Sequence, residues 1–198
     1  MKKFELTSEF VTNIFGTKLF RIKALVEFGD VKAGDLGGYI EKEENLDHDG
    51  DAWVSGDAWV SGNAQVSGNA QVYGDARVYD NAWVYGDARV SGNAWVYGDA
   101  WVSGNAWVSG NAQVSGDADY AYAHGFGSIN RTTTFFRLKD GGVGVRCGCF
   151  YGTLQEFRDK VRETHGETKT AELYLDLAAL MEKRFRRAEN EQKTEEES

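Results

Sequence analysis

Three histidines and two cysteines are the side chains of this sequence best suited to proton transfer, nucleophilic attack or metal binding. His48, His124 and His165 are widely scattered, and each is expected to be structural or exposed. Their spacing relative to Cys147 and Cys149 matches no recognisable metal-ligand pattern. If the two cysteines lie in one strand, their side chains share a face but stand too far apart for an easy disulfide. We therefore predict no catalytic residue, no bound metal and no cofactor.

A group of basic residues near the C-terminus could bind an anion, because guanidinium and ammonium groups pair strongly with phosphate and carboxylate. Arg131, Arg137, Lys139 and Arg146 occur in one β-rich segment, where Arg137 and Lys139 would share a strand face. Two interpretations stay open: a pocket for a nucleotide phosphate or an acidic partner, or a solvated basic face. We predict that segment 129–166 contributes essential contacts to whatever is bound. The alternative is that it only caps the fold or fixes the oligomeric state.

A six-residue repeat, G-[DN]-A-x-V-x, occupies the middle of the chain and must position most of the other side chains. Alanine recurs every six residues from Ala52 to Ala118, and valine follows each alanine by two residues from Val54 to Val114. Because side chains in a strand alternate between faces, alanine and valine share one face and the two x positions share the other. Each hexad therefore predicts a very short strand.

The G-[DN] pair predicts a tight corner between strands, since glycine readily adopts the positive φ that such corners need. Asp80 replaces glycine once in this series, and aspartate tolerates a positive φ better than most residues do. Such short strands bury their inner face only if the chain coils and each turn hydrogen-bonds to the next. The pattern predicts a triangular coil of three hexads, with eighteen residues per turn. The stacked Asp and Asn corners are expected to be structural rather than metal-binding.

This pattern, as in Val54-Ser55-Gly56-Asp57-Ala58, resembles the hexapeptide-repeat superfamily of left-handed parallel β-helices. The resemblance covers the regular repeats at 51–118 and is specific for the fold. It implies a mainly β protein: a left-handed parallel β-helix of about five coils, with a β-rich N-terminal cap and a small C-terminal α+β domain.

The same superfamily contains acyltransferases, carbonic anhydrases and non-catalytic proteins, so the fold does not decide the function. Its acyltransferases typically use a histidine base near a loop between coils and bind coenzyme A, and its carbonic anhydrases hold zinc through three histidines. Residues 51–118 contain no histidine and no inserted loop, so neither enzyme class is expected. An acyltransferase that uses acetyl-coenzyme A stays as an alternative, as does a structural scaffold or oligomerisation module.

Aromatic residues fill many outward positions of the repeat and form a candidate binding surface. Residues eighteen positions apart should stack on neighbouring turns: Trp83 with Trp101, Tyr79 with Tyr97, and Arg77 with Trp95. Large outward apolar surfaces usually mark interfaces, although aromatic ladders can also simply stabilise adjacent strands. The candidate partner-binding residues of the repeat are Arg77, Tyr79, Trp83, Tyr85, Trp95, Tyr97 and Trp101. Because the superfamily often forms trimers, the resemblance also implies a homo-oligomer, with a trimer favoured.

Less regular segments flank the repeat on both sides. Residues 1–28 are predicted to form short strands that cover the N-terminal end of the coil. Residues 29–124 are predicted to form the β-helix, with an irregular first coil and a loose last turn. Residues 125–187 form the predicted α+β domain, and the acidic tail 188–198 is predicted to be disordered.

Local signals define the elements of the predicted C-terminal domain. The segment Lys139-Asp140-Gly141-Gly142 is a hairpin signal between two β-rich runs. Thr153-Leu154-Gln155-Glu156 has the form of a capping box, which predicts a helix that ends near Gly166. A second amphipathic helix should bury one face and carry Phe185 near its end. The residues predicted for that face are Leu173, Leu177, Leu180 and Met181.

The flanking segments FRIKALVEFGDVKAGDLGGYIE and GCFYGTLQEFRDKVRETHG resemble uncharacterised phage and prophage proteins that carry the same repeat. A formal charge of −9 disfavours a nucleic-acid partner. No apolar run approaches the ~20 residues of a membrane span, and reduced cysteines fit a cytoplasm. We therefore expect a non-catalytic phage-type binding protein in the bacterial cytoplasm. It would either engage a host protein, as a counter-defence inhibitor, or sequester a nucleotide-like ligand between protomers.

Overall fold

The strands that precede the repeat are longer than those inside it. In the computed structural model, which describes residues 1–127 and 130–196, they are β1 (Phe4–Thr12), β2 (Lys18–Ala24) and β3 (Leu36–Ile40). β2 pairs antiparallel with both β1 and β3, and a short 3₁₀ helix, Glu43–Asn45, follows β3. β1 and β2 lie within residues 1–28, where short strands are predicted, whereas β3 lies in the predicted irregular first coil and pairs in parallel with the strand at Trp59–Val60.

Each hexad of the repeat contributes a strand of two residues, an outward x residue and the valine after it. In chain order these strands are β4 (Trp53–Val54), β5 (Trp59–Val60), β6 (Gln65–Val66), β7 (Gln71–Val72), β8 (Arg77–Val78), β9 (Trp83–Val84), β10 (Arg89–Val90), β11 (Trp95–Val96), β12 (Trp101–Val102), β13 (Trp107–Val108) and β14 (Gln113–Val114). Every alanine and valine of the series, from Ala52 to Val114, is fully buried. The inward face is therefore the one that the alternation predicts.

Strands eighteen residues apart lie side by side in parallel, so the chain coils. β3, β5, β8, β11 and β14 continue the sheet begun by β1 and β2, which we call the first sheet. β4, β7, β10 and β13 form the second sheet, and β6, β9 and β12 form the third. Valine lies opposite valine on neighbouring strands, as with Val60, Val78 and Val96. The described repeat makes about four turns.

The corners adopt the left-handed backbone conformation that the sequence predicts. Asp80, which replaces a corner glycine, has a φ of 61°. Gly74 has a φ of +74°, and a Cβ atom on it would lie 3.1 Å from the backbone nitrogen of Gly92 in the next turn. A side chain at this corner would therefore meet both backbone strain and crowding.

Two buried polar side chains complete the backbone hydrogen bonding at the N-terminal end of the coil. The first turn has no turn beneath it to donate to its carbonyl groups. The Lys3 ammonium group donates to the carbonyl oxygens of Gly50 and Ala52, at 3.2 and 3.0 Å. The side-chain amide of Asn45 donates to the carbonyl oxygens of Gly62 and Ala64, at 3.2 and 2.8 Å. Burial holds the pKa of Lys3 below its ordinary value, although three nearby aspartates act in the opposite direction.

Ala118–Ser198 forms a second compact unit, separate from Met1–Asp117. Its elements are β15 (Tyr120–Phe126), β16 (Arg131–Arg137), β17 (Val143–Cys147), β18 (Phe150–Thr153), α1 (Leu154–His165) and α2 (Lys169–Glu196). The strands form an antiparallel sheet in chain order. Both helices contribute to a core with Phe135 and Val145 of the sheet.

The predicted hairpin and capping box are confirmed in this unit. Arg137 at the end of β16 lies opposite Val143 at the start of β17. The Thr153 side chain accepts a hydrogen bond from the backbone of Glu156, and the Glu156 carboxylate accepts one from the backbone of Thr153. Helix α1 then ends at His165, one residue before Gly166.

Three features differ from the sequence-based prediction. Tyr120–Phe126 pairs antiparallel with β16, so residues up to 124 do not form a last turn of the coil. The repeat consequently makes about four turns rather than five. The third difference is that the backbone of α2 is helical to Glu196, where a disordered tail is predicted from residue 188; residues 197 and 198 lie outside the described part.

The buried face of α2 also differs from the prediction. Leu177 and Met181 are buried as predicted, but Leu173 and Leu180 are 56% and 60% exposed. Tyr174 and Ala178 complete the buried face instead. Tyr174 lies one residue beyond Leu173, and one residue rotates a helix by about 100°. The aromatic ring of Tyr174 therefore takes the core position that the leucine pattern assigns to its neighbour.

Candidate functional site

The first sheet carries a continuous row of large outward side chains. The four members within the repeat occupy the x position between an inward alanine and an inward valine, and the strand register places all six side chains next to one another on successive strands. In order across the sheet the row is Arg21, Tyr39, Trp59, Arg77, Trp95 and Gln113. We call this row the Arg77 face, together with Tyr79 and Tyr97 in the slots that follow valine.

Arg77 is held between two indole rings. Its guanidinium carbon lies 5.6 Å from the ring centroid of Trp59 and 4.9 Å from that of Trp95. Parallel strands are about 4.8 Å apart, so the three side chains project from consecutive strands as a sandwich. The guanidinium therefore has an aromatic ring on each side, an arrangement that favours a cation.

Tyr79 lies beside this sandwich and contacts the same two indoles. Its ring centroid is 5.7 Å from that of Trp59 and 6.3 Å from that of Trp95, and it stacks on Tyr97 at 5.2 Å with an interplanar angle of 6°. Burial, followed by the nearby Tyr97 and Asp80, raises the pKa of Tyr79 to about 12. The hydroxyl is therefore neutral and able to donate a hydrogen bond at physiological pH.

The third sheet carries a smaller and more exposed aromatic cluster, which we call the Trp83 face. Trp83 and Trp101 stack at a centroid distance of 5.2 Å with an interplanar angle of 8°. They are 40% and 48% exposed, and Tyr85 beside them is also exposed. The parallel register of β9 and β12 places the two indoles at the same position of adjacent strands, on the outer side of the sheet.

The second sheet borders a polar groove of about 480 Å³. Its lining includes Asp51, Asn69, Asp87 and Arg89, and Arg89 stacks on Trp107 at 5.6 Å. The corner side chains bond to one another, with the Asn69 amide donating to the Asp87 carboxylate at 3.0 Å. Such a ladder links neighbouring turns, as expected for structural corners.

The predicted stacking pairs are confirmed as geometry, but the prediction misses part of each cluster. Trp59 is absent from the predicted set although the Arg77 guanidinium lies over its ring. Arg89 is also absent although it stacks on Trp107. The 18-residue period contains both relationships, because each pair occupies the same position on adjacent strands. A search of the sequence for every pair of outward residues eighteen positions apart would find both contacts.

The basic residues of the C-terminal unit are not brought together. Arg137 follows the core residue Phe135 by two positions and projects to the helix side of the sheet, where it donates to the carbonyl oxygen of Phe185 at 3.0 Å. Arg146 follows the core residue Val145 and projects to the opposite side. Because side chains alternate between the two sides of a sheet, Arg137 and Arg146 lie on opposite sides. The prediction of one anion pocket lined by all four basic residues is therefore wrong.

The other two basic residues of that predicted group are peripheral. Arg131 is exposed at the start of β16, and Lys139 is exposed in the hairpin turn beyond its end. Arg137 also donates to the carbonyl oxygen of Gly141 and stacks on the ring of Phe185. Its role is therefore to hold the hairpin and α2 together within this unit.

The histidines have separate environments. His48 accepts a hydrogen bond from the backbone of Lys3 and pairs with Glu43 at 2.8 Å. His124 contacts the Thr132 hydroxyl at 2.8 Å, and His165 stacks on a tyrosine ring at the end of α1. Each of these contacts supports local structure.

Both cysteines are free thiols, but they do not lie in one strand. Cys147 ends β17 opposite Phe150, and Gly148 has a φ of +58°, so Cys149 belongs to the turn before β18. The Cys147 sulfur accepts a hydrogen bond from the hydroxyl of Thr133 at 3.2 Å. Cys147 and Cys149 therefore do not share one face of a single strand.

The comparison with protein families agrees with the coil. The model of the YdcK Beta solenoid repeat matches residues 70–86, 82–98, 88–104 and 100–116. The chain carries a β-solenoid. The matches all fall within the regular repeat, between β7 and β14. A search of curated proteins finds no match to the chain.

Neither helix of the described residues combines the length and the apolar character that a transmembrane helix needs.

Proposed function

We propose that this is a non-catalytic binding protein, and that the aromatic faces of its solenoid engage a host protein. The observation that carries the proposal is the stacked pair Trp83 and Trp101, with about half of each indole open to solvent. Tryptophan, tyrosine and arginine are the residues that most often dominate the energy of protein interfaces. The Trp83 face carries tryptophan and tyrosine, and the Arg77 face carries all three types.

The rigidity of the solenoid supports this proposal. The aromatic side chains project from strands whose inner alanine and valine residues are fully buried. Their positions are fixed before a partner arrives, so little conformational entropy is lost when they are covered. A flat, preorganised surface of this kind suits contact with another folded protein.

We further propose that the coil is left-handed, with three hexads in each turn, and that the protein forms a homo-oligomer, with a trimer favoured. The 18-residue register supports the three-hexad arrangement. The resemblance of the flanking segments supports a phage or prophage origin, and we place the protein in the bacterial cytoplasm. Counter-defence inhibition is the role that this combination favours.

The test is capture of the tagged protein from infected bacteria, followed by reconstitution with the purified captured protein. The double variant Trp83→Ser/Trp101→Ser should bind the reconstituted partner at least about tenfold more weakly. Gln65→Ser is the matched control, because Gln65 is exposed at the same position of the same sheet and lies opposite Trp83. Partner binding that is unchanged by the tryptophan substitutions would contradict the proposal. Native mass spectrometry of the captured material also reports whether a small molecule is bound instead of a host protein.

A further inference from the structure

The guanidinium of Arg77 is fixed in position but has its hydrogen-bonding groups uncommitted. The indoles of Trp59 and Trp95 lie on either side of it. Among the described residues, none accepts a hydrogen bond from this guanidinium and none forms an ion pair with it. An arginine carries five N–H donors in the plane of the group, and stacking leaves those edges free.

The same row of the first sheet contains a second arginine in a related environment. Arg21 lies over the ring of Tyr39, with its guanidinium carbon 5.3 Å from the ring centroid. It also donates to the carboxylate of Glu9 at 3.3 Å. Here one arginine is stacked on an aromatic ring and paired with a carboxylate at the same time. Arg77 has the stacking without the carboxylate.

We propose that Arg77 binds a carboxylate group of the partner protein, an aspartate or glutamate side chain, between the indoles of Trp59 and Trp95. This inference rests on the proposed function and names the chemistry that the Arg77 face recognises. The shape of the site favours a carboxylate over a phosphate. Because an indole lies on each side of the guanidinium, an anion must approach through the gap between the two rings, where a planar carboxylate can pair edge to edge with the guanidinium. A tetrahedral phosphate is thicker than a carboxylate and places oxygens toward the indoles.

Tyr79 extends the site beside the guanidinium. Its ring packs against the same two indoles, and its pKa of about 12 keeps the hydroxyl protonated. The aromatic surroundings also lower the local dielectric, which strengthens a charge-assisted hydrogen bond. Arg89 provides the contrast within the same solenoid, since it is exposed and stacks on a single indole, Trp107.

The experiment is a nuclear magnetic resonance titration of the arginine side-chain N–H signals in the full chain. Sodium acetate, inorganic phosphate and sodium chloride are compared at matched ionic strength. We expect acetate to shift the Arg77 Nε–Hε signal saturably, at about a tenfold lower concentration than it shifts that of Arg89. Arg77→Lys, which keeps the charge but loses the planar fork, should abolish the acetate effect on the indole N–H signals of Trp59 and Trp95. Circular dichroism checks that this variant is folded.

An Arg77 signal that does not saturate with acetate, or that shifts no more readily than that of Arg89, would overturn the proposal. Tighter binding of phosphate than of acetate would overturn it in favour of a phosphorylated ligand. Both outcomes are distinct from failure of the proposed function. Acetate binding at Arg77 without any captured partner would count against the host-protein interface alone. A captured partner that depends on Trp83 and Trp101 but not on Arg77 would count against the carboxylate site alone.

Discussion

The side-chain amide of Asn45 donates a hydrogen bond to the carbonyl oxygen of Ala64 at 2.8 Å, inside the N-terminal end of the solenoid. Asn45 is fully buried and also donates to the carbonyl oxygen of Gly62. A side chain here replaces the backbone donors that a preceding turn would supply.

Asn45→Ala should lower the free energy of unfolding by about 1–3 kcal/mol, because two carbonyl groups lose a buried donor. Asn63→Ala is the matched control, since Asn63 is an exposed corner residue whose side-chain amide bonds to the side chains of Lys42 and Asn81 rather than to backbone carbonyl groups. It should change stability by less than about 0.5 kcal/mol. Urea denaturation of both variants measures the difference, and equal losses would contradict this account of the N-terminal end.

Gly74→Ala should destabilise the solenoid by about 1–2 kcal/mol, because Gly74 combines a left-handed backbone with close approach to Gly92. Gly116 occupies the same position of the hexad, yet it has no left-handed φ and no atom near its missing Cβ. Gly116→Ala should therefore be neutral, or stabilising by a few tenths of a kcal/mol. Thermal unfolding of the two variants under the same conditions provides the comparison. A neutral Gly74→Ala would show that the corners tolerate side chains.

The raised pKa of Tyr79 predicts a loss of stability at high pH. The folded-state pKa of about 12 lies above the ordinary value of 10.0, so folding favours the neutral phenol. This contribution is fully present below pH 10 and is lost as the pH rises toward 12, where the unfolded chain releases the proton first. Tyr79→Phe should show a smaller loss of stability between pH 9 and pH 11 than the unchanged protein. Denaturation at both pH values measures this, and identical pH slopes would contradict the assignment.

Arg137→Met should destabilise the C-terminal unit by about 1–3 kcal/mol, because two carbonyl oxygens lose a donor at a largely buried site. Lys139→Met is the control, since Lys139 is exposed in the adjacent turn. Hydrogen exchange of the α2 amides should increase in the first variant and not in the second. If Arg137→Met weakened partner binding while leaving exchange unchanged, the arginine would have a binding role instead of a structural one.

The proposed homo-oligomer gives a prediction for solution size. Light scattering at micromolar concentration should report a multiple of the 22.0 kDa chain, with three copies favoured. Trp83→Ser/Trp101→Ser should shift the protein toward a monomer if the Trp83 face joins the copies, since each exposed indole contributes a large apolar area. A folded monomer for the unchanged protein would contradict self-association, while leaving the host-protein interface to be tested by capture.

The periodic part of the molecule is predictable from the sequence because its spacing and its chemistry agree. The six-residue period places Val78 inside and Arg77 outside, and the eighteen-residue turn places Trp95 on the next strand. Asp80 fits the same rule, as its positive φ shows. At these positions local preference and tertiary packing select one conformation.

The aperiodic parts are harder to predict because their contacts depend on residues distant in sequence. Tyr39 pairs with Trp59 and Leu46 bridges to Val66, each twenty residues apart, so the regular period does not reveal the partners of the first coil. The inward position of Arg137 depends on the placement of α2 against the sheet, which no local pattern encodes. The sequence also does not reveal which stacked arginine is paired with a carboxylate. Arg21 is paired with Glu9, whereas Arg77 has no carboxylate partner among the described residues.

The eighteen-residue register also restricts how the gene for this protein can change in length. Loss or duplication of eighteen codons within the repeat removes or adds a whole turn, and every remaining outward residue keeps its side of the solenoid. Loss of six codons preserves the inward alanine and valine pattern, but it moves every later aromatic residue to the neighbouring side. Such a deletion would leave a foldable repeat while dispersing the row that contains Trp59, Arg77 and Trp95. Selection for binding should therefore favour length changes in whole turns, whereas selection for folding alone would also permit steps of a single hexad.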